Sequence, residues 1–544
     1  MSNRLAPETL CAMALLLATA AAQPAPAPSP VYRIAGTVVN AATGEPVRRA
    51  SVAALSASDH NIIESAETDS DGRFALWGLA AAKYELTASK RGFLNAFYDE
   101  HNGGYNTAIV TGEDQHTEGL IMRMTPIASL HGVVTDDSGD PVENAKVLLY
   151  LKPRSHNPGA RITQVAETTT DDTGAYHFGG LDPGEYLLAV KAEPWYAMHH
   201  SAAGSRQRPQ DQTSIKLDVA YPITYFDSTT DEASATPIVI TGGSREEANI
   251  NLRAVPALHL IFETTAKQVD YPPRAELHQI IFGSLASIDT ITSQSAMQSV
   301  KAEFTGVAPG HYELTQGDPP RIAELDATVS QQLDPNFGKP AMVISGTLRT
   351  SSGAALPDKL TLSLESIEGV HQQEQNQVSG SNGQFTFESV RQGNYEFTAS
   401  TPDKQLPIIS ITINGRTHPG NQITVSDQPM KIGAMVSLSE TRIEGFARKG
   451  EKGAPGVMVV LVPKEPEVFP ALARRDQSDS DGSFALRDVA PGQYTLVAIE
   501  DGWELDWARP EVISRYLSGG IAVTVTESSG KLVRLPEAVP VESR

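Results

Sequence analysis

The chain has 544 residues, which at about 100–200 residues per domain suggests three to five domains. Its 43 basic and 65 acidic side chains leave a formal net charge of −22, which argues against a nucleic acid or an anionic membrane as partner. A single cysteine excludes a disulfide framework and every multi-cysteine metal or redox motif, while 40% apolar residues is an ordinary globular share.

The first element is an address. Leu10–Ala22 is an apolar run preceded by Arg4 and closed by Ala20 and Ala22 in an A-x-A pattern. It reads as a secretory signal peptide over residues 1–22, too short to span a bilayer. A proline-rich spacer, 23–30, follows. Cys11 lies inside the apolar run, so no lipid attachment is expected, and processing would remove the only thiol. No other stretch is apolar enough to span a membrane. The expected product is exported to the periplasm or beyond and is not membrane-embedded.

A repeat then occupies the rest. Five segments share an aromatic–gap–turn–tyrosine pattern: Phe74–Leu86, Tyr176–Leu188, Ala302–Leu314, Phe385–Phe397 and Phe484–Leu496. Their tyrosines are Tyr84, Tyr186, Tyr312, Tyr395 and Tyr494. Gly36, Gly132, Gly346 and Gly445 precede four of these by 48 to 54 residues, and Ala257–Thr264 falls at that distance in the third. After the tyrosine, apolar and polar residues alternate, as in Tyr84, Leu86 and Ala88 against Glu85, Thr87 and Ser89, which predicts a half-buried strand. Asp71-Gly72, Thr173-Gly174 and Asp481-Gly482 predict tight hairpins. Pro183-Gly184, Pro309-Gly310 and Pro491-Gly492 predict second turns whose glycines take positive φ. The tyrosine is expected to pack its ring inward and bond its hydroxyl to nearby backbone, as corner tyrosines do. Tails at Thr107–Arg123 and Thr236–Arg253 suggest closing strands. The one helix candidate is Pro510–Ser518, stopped by Gly519-Gly520.

The reading is all-β: a tandem array of five immunoglobulin-like or transthyretin-like sandwiches. The modules are 31–126, 127–255 (with a loop insertion), 256–340 (degenerate), 341–438 and 439–544. Modules one, two and five resemble the carboxypeptidase regulatory-like domain, a transthyretin-like sandwich found in tandem in exported bacterial proteins. The residues that carry the likeness are Gly36–Val39, Thr43–Val47, Ala50–Val52 and Thr68–Phe74, with Gly132–Val134, Gly139–Val142, Ala145–Val147 and Thr170–Tyr176, and with Gly445, Gly453–Val457 and Asp479–Phe484. The resemblance implies a non-catalytic module. Related adhesin modules carry lysine–asparagine cross-links, but Tyr32–Val39 and Ser129–Thr135 contain no lysine, so none is expected here.

Chemistry is sparse. A zinc carboxypeptidase needs a His-x-x-Glu pair and a distant histidine; His371 and Glu374 have the spacing but lie in a glutamine-rich stretch, which leaves that reading remote. His199-His200 falls in the module-two insertion. The Asp-x-Asp-Gly turns at Asp69–Gly72 and Asp479–Gly482 lack the further ligands of a calcium loop. No nucleophile elbow, Walker loop or dinucleotide fingerprint occurs. No catalytic residue, metal or cofactor is therefore assigned. Candidate ligand contacts are aromatic: Trp195, Tyr196, Trp503 and Trp507, whose flat rings suit sugar faces. The expected function is an exported, non-catalytic interaction, binding or spacer protein, its partner an envelope protein or a polysaccharide. The alternative is a carbohydrate-binding protein using those aromatics. Five modules in line would reach on the order of 150 Å.

Overall fold

The computed structural model describes residues 31–101, 104–153, 161–198, 217–264, 275–287, 292–296, 299–316, 320–334, 337–369, 373–377, 382–465, 468–469, 471–526 and 531–544. The leader, the spacer, His199-His200 and His371 lie outside them.

The chain is all-β, and five modules repeat one topology. In each, the first strand pairs antiparallel with a strand from mid-module and parallel with a closing strand. Tyr32–Asn40 pairs in this way with Arg73–Leu79 and Leu120–Met124, and Ala128–Thr135 with Ala175–Leu181 and Arg245–Glu247. Leu258–Thr264 does so with Ser299–Val307 and Gln331–Leu333, and Met342–Thr350 with Gln384–Val390 and Met430–Val436. Arg442–Lys449 does so with Ser483–Leu486 and Leu532–Arg534. The tyrosine strands build the facing sheet, for example Lys83–Ser89 against Ser51–Ser56. Each module encloses its own apolar cluster, such as Ile34, Val38, Leu76 and Leu86 in the first. Both tails supply closing strands, and the degenerate third module keeps the plan.

All five repeat tyrosines are corner tyrosines. Each hydroxyl donates to the carbonyl four residues back: Tyr84 to Ala80, Tyr186 to Asp182, Tyr312 to Ala308, Tyr395 to Arg391 and Tyr494 to Ala490, at 2.7–3.2 Å. The repeat glycine sits opposite the repeat aromatic, with Gly36 facing Phe74, Gly132 facing Tyr176, Gly346 facing Phe385 and Gly445 facing Phe484. At Gly132 an added Cβ would fall 2.0 Å from the Ala248 carbonyl oxygen, so the closing strand leaves no room for one. In module three the same register position pairs Phe262 with Ala302, large and small exchanged between the strands.

Two turn expectations are corrected. The Asp-Gly turns do not close hairpins: Ile62–Glu67 and Arg73–Leu79 belong to opposite sheets, so the turn carries the chain across the sandwich. Gly72, Gly174 and Gly482 do take positive φ there. The Pro-Gly glycines do not. Gly184, Gly310 and Gly492 leave room for a neighbour: a Cβ would lie 2.9 Å from Leu151 Cδ1 at Gly184, 3.0 Å from Gln279 Nε2 at Gly310 and 3.1 Å from the corner ring, at Tyr494 Cε2, at Gly492. Positive φ falls instead six residues before each tyrosine, at Gly78, Gly180, Gly306, Ser389 and Asp488. A non-glycine residue costs about 1–2 kcal/mol in that conformation. Ser389→Gly is therefore expected to stabilise module four by about 1 kcal/mol, read as a higher urea midpoint with unchanged slope.

The helix is shorter than expected: Pro510–Ile513 is α and Ser514–Gly519 continues as a 3-10 turn. Ile513 packs with Met458, Val460, Val497, Ile499 and Trp503 on the outer face of module five. The tyrosine strands of modules two and five are thus buried on both faces. Leu187 and Ala189 pack with Ile281 of module three in the same manner, and Phe282 meets Tyr150 and Tyr225 edge-on at about 5 Å. Arg391 ion-pairs with Glu313 between modules four and three, and Lys404 with Asp488 between four and five at 2.9 Å.

The modules are not strung in line. Module one packs against module five through a polar latch that joins the two ends of the array. Gln477 Nε2 donates to the Asp99 carbonyl (2.6 Å) and to Thr107 Oγ1 (2.8 Å), and its Oε1 lies 3.1 Å from His101 Nδ1. Lys83 Nζ reaches Asp479 Oδ2 at 2.5 Å and Ser483 Oγ at 2.8 Å. The Ser480 amide donates to the Ala108 carbonyl, and Ser480 Oγ accepts from the Val110 amide.

Candidate functional site

Where modules one, four and five meet, two clefts adjoin, of about 610 Å³ and 480 Å³. Tyr105, Arg474, Arg475 and Arg487 line both. The ridge between them is the edge strand Arg474–Gln477, paired on one side with Met458–Pro463. Alternation along it separates the roles of its residues. Gln477 enters the latch. Arg475 lies over three rings, 4.2 Å from Trp507, 4.9 Å from Tyr105 and 5.6 Å from Trp503. Arg474 donates to the carbonyls of Asp488, Ala471 and Ala473. Burial pushes both guanidinium groups below their ordinary range.

The carboxylates nearby are engaged. Asp479 holds Lys83, Asp488 holds Lys404, and Glu85 lies 3.1 Å from His60. Asp476 accepts from the Ala485 amide at 2.6 Å, and burial, with Asp479 adding to it, pushes its pKa up to about 6 against the pull of Lys83. A carboxyl whose folded pKa is raised destabilises the fold once ionised. The cost is absent below about pH 4, grows between 4 and 6, and is complete above 6. Asp476→Asn is expected to stabilise the chain by on the order of 2–3 kcal/mol at pH 7.5 and hardly at all at pH 4, as melting curves at the two pH values would show.

The four aromatics separate. Trp503 is 8% exposed; its indole N–H donates to the Gly456 carbonyl, and its ring stacks on His101 at 5.4 Å and meets Tyr105 at 4.9 Å. Trp503 is thus packed at the junction, where His101 and Tyr105 of module one cover it. Trp507 is half-buried, between Arg475 and an edge-on Phe469 at 5.8 Å, and lines the smaller cleft. Trp195 is 68% exposed, with Tyr196 edge-on at 5.5 Å, on module two and apart from this junction. Sequence reading missed the arginines, although Arg474-Arg475 is a basic pair in an acidic chain. It also missed the second apolar face: Val497 and Ile499 stand where module one has Thr87 and Ser89.

In the Asp-Gly turns the aspartates serve the backbone. Asp69 and Asp171 each accept amides two and four residues on. Asp479 has turned to module one. Among the described residues no group of three or more His, Cys, Asp or Glu is placed to hold a metal ion, and no helix is long and apolar enough to cross a membrane.

This architecture is that of a multi-module β-sandwich protein. Residues 33–111 and 129–213, two tandem segments, match the family model of the carboxypeptidase regulatory-like domain. The chain is similar to colossin-A of Dictyostelium discoideum, 20% identical over 509 residues, which cover 83% of this chain and 4% of that protein. It thus spans a small fraction of the relative's length. Among solved structures it is similar to a streptococcal ancillary pilin, 11% identical, covering 52% of this chain and all of that one with a TM-score of 0.19. It is also similar to the minor pilin GBS52 of Streptococcus agalactiae, 12% identical, covering 44% and 99% with a TM-score of 0.20.

Proposed function

We propose that the protein is an exported, non-catalytic interaction protein of the cell envelope that holds its partner where modules one, four and five meet. One observation carries this reading: the latch brings residues far apart in the chain into one pair of clefts, a place that no single module provides. The two regulatory-like segments support the absence of catalysis, and the apolar leader supports export. Binding of the purified chain to envelope fragments tests it. Saturable binding that falls when Lys83→Ala and Gln477→Ala open the latch is expected. Binding that ignores the latch, or none, would overturn the reading.

The exposure of Trp195 favours a second one, in which a neutral sugar stacks on module two. Retardation by an uncharged glycan that Trp195→Ala abolishes would support it, and retention of binding in that variant would end it.

A further inference from the structure

The junction clefts carry an unusual balance for so acidic a chain. Among the described residues, Arg474, Arg475 and Arg487 form no ion pair with any carboxylate; of the cleft carboxylates, Asp479, Asp488 and Glu85 each have a cationic or histidine partner, while Asp476 accepts from the Ala485 amide and Glu396 from the Asn421 side chain. Arg487 is exposed and lines both clefts. Arg442, held by Glu444 at 3.0 Å, stands in the same wall. Two desolvated guanidinium groups on the ridge and a third, exposed one beside it line the clefts without a carboxylate partner. An arginine fork matches a carboxylate or sulfate in two parallel hydrogen bonds.

The rest of the lining says which anion. The larger cleft is walled by Ser56, Ser58, Asn106 and alanines, with Tyr105 its one large ring. A peptide binds chiefly by large apolar or aromatic anchors, which this wall lacks; in the smaller cleft Leu406, Pro407 and Ile408 flank Trp507, a second flat ring. Hydroxyl and amide side chains around one ring suit the hydroxyls and flat face of a sugar. We propose that the two clefts act as one trough for a segment of acidic polysaccharide, its uronate or sulfate groups docked on Arg474, Arg475 and Arg487. This assignment rests on the junction being the binding site.

Affinity electrophoresis of the purified chain in gels containing polygalacturonate, dextran sulfate, neutral dextran or polyglutamate tests it. Retardation by at least one of the two acidic glycans, and not by dextran, is expected, weakening as salt is raised. The two glycans separate carboxylate from sulfate. Arg487→Ala, at an exposed side chain with no ion pair to lose, should weaken binding at least tenfold with an unchanged melting temperature. Arg475→Gln should do the same, and Arg349→Ala on module four should do nothing. Equal retardation by dextran, stronger retardation by polyglutamate, or an Arg487→Ala chain that binds as before would each overturn the assignment. Latch-dependent binding to envelope fragments alongside indifference to both glycans would sink the glycan and leave the junction reading standing.

Discussion

Gly132→Ala is expected to cost module two at least about 3 kcal/mol, enough to unfold it at moderate urea. The added methyl would lie 2.0 Å from the Ala248 carbonyl oxygen and 2.9 Å from Tyr176 Cε1. Neither can retreat cheaply. The Ala248 amide donates to the His131 carbonyl at 2.8 Å, and its carbonyl accepts the Tyr176 hydroxyl, so a shift would break both bonds. Gly139→Ala is the control. Its position has open space around it and a φ of +84°, so only the conformational cost of about 1–2 kcal/mol applies. Equal losses in the two variants would show that crowding by the closing strand is not what keeps position 132 bare.

Opening the latch should change shape rather than fold. Gln477 is 2% exposed and its amide satisfies groups on Asp99, Thr107 and His101. Truncation to alanine removes a donor from buried acceptors, at about 1–3 kcal/mol. Lys83→Ala adds the loss of the Asp479 pair, whose carboxylate would then lie mostly buried without its cation. Together the two substitutions should separate modules one and five, read as a larger radius of gyration in small-angle scattering. The module cores do not contain these residues, so near-ultraviolet dichroism should change only at the Trp503 contact. A double variant with the radius of the parent chain would mean that the ring contacts and the Ser480 bonds to Ala108 and Val110 suffice to hold the ends.

The module plan was legible because its determinants are local. A corner tyrosine, a crossing turn and a bare glycine each leave a mark at fixed spacing, and even the degenerate third module kept its strand at Leu258–Thr264. The turn geometry was misread for a physical reason. Asp-Gly signals positive φ but not which sheet receives the next strand, and Pro-Gly masked a glycine needed for space rather than for φ. The latch was illegible because its partners lie some 370 to 400 residues apart, and a repeat position such as Lys83 carries no sign of a partner in another module. Trp503 shows the same limit: a tryptophan in a loop carries no sign of what will cover it. The junction arginines matter only through that closure, since Arg474-Arg475 in isolation is an ordinary basic pair.

The parallel pairing of first and closing strands bears on how the chain would carry load. Tension applied at the two ends of a module pulls Tyr32–Asn40 and Leu120–Met124 in opposite directions along their shared ladder. All the evenly spaced hydrogen bonds between them are then strained together in shear, instead of parting one at a time as a peeled hairpin does. The weakest joint under a pull on the termini is therefore the latch, whose contacts are mostly side-chain mediated and form no strand ladder. Stretching would release it first and extend the chain while each sandwich still held, with its survival set by an unfolding rate.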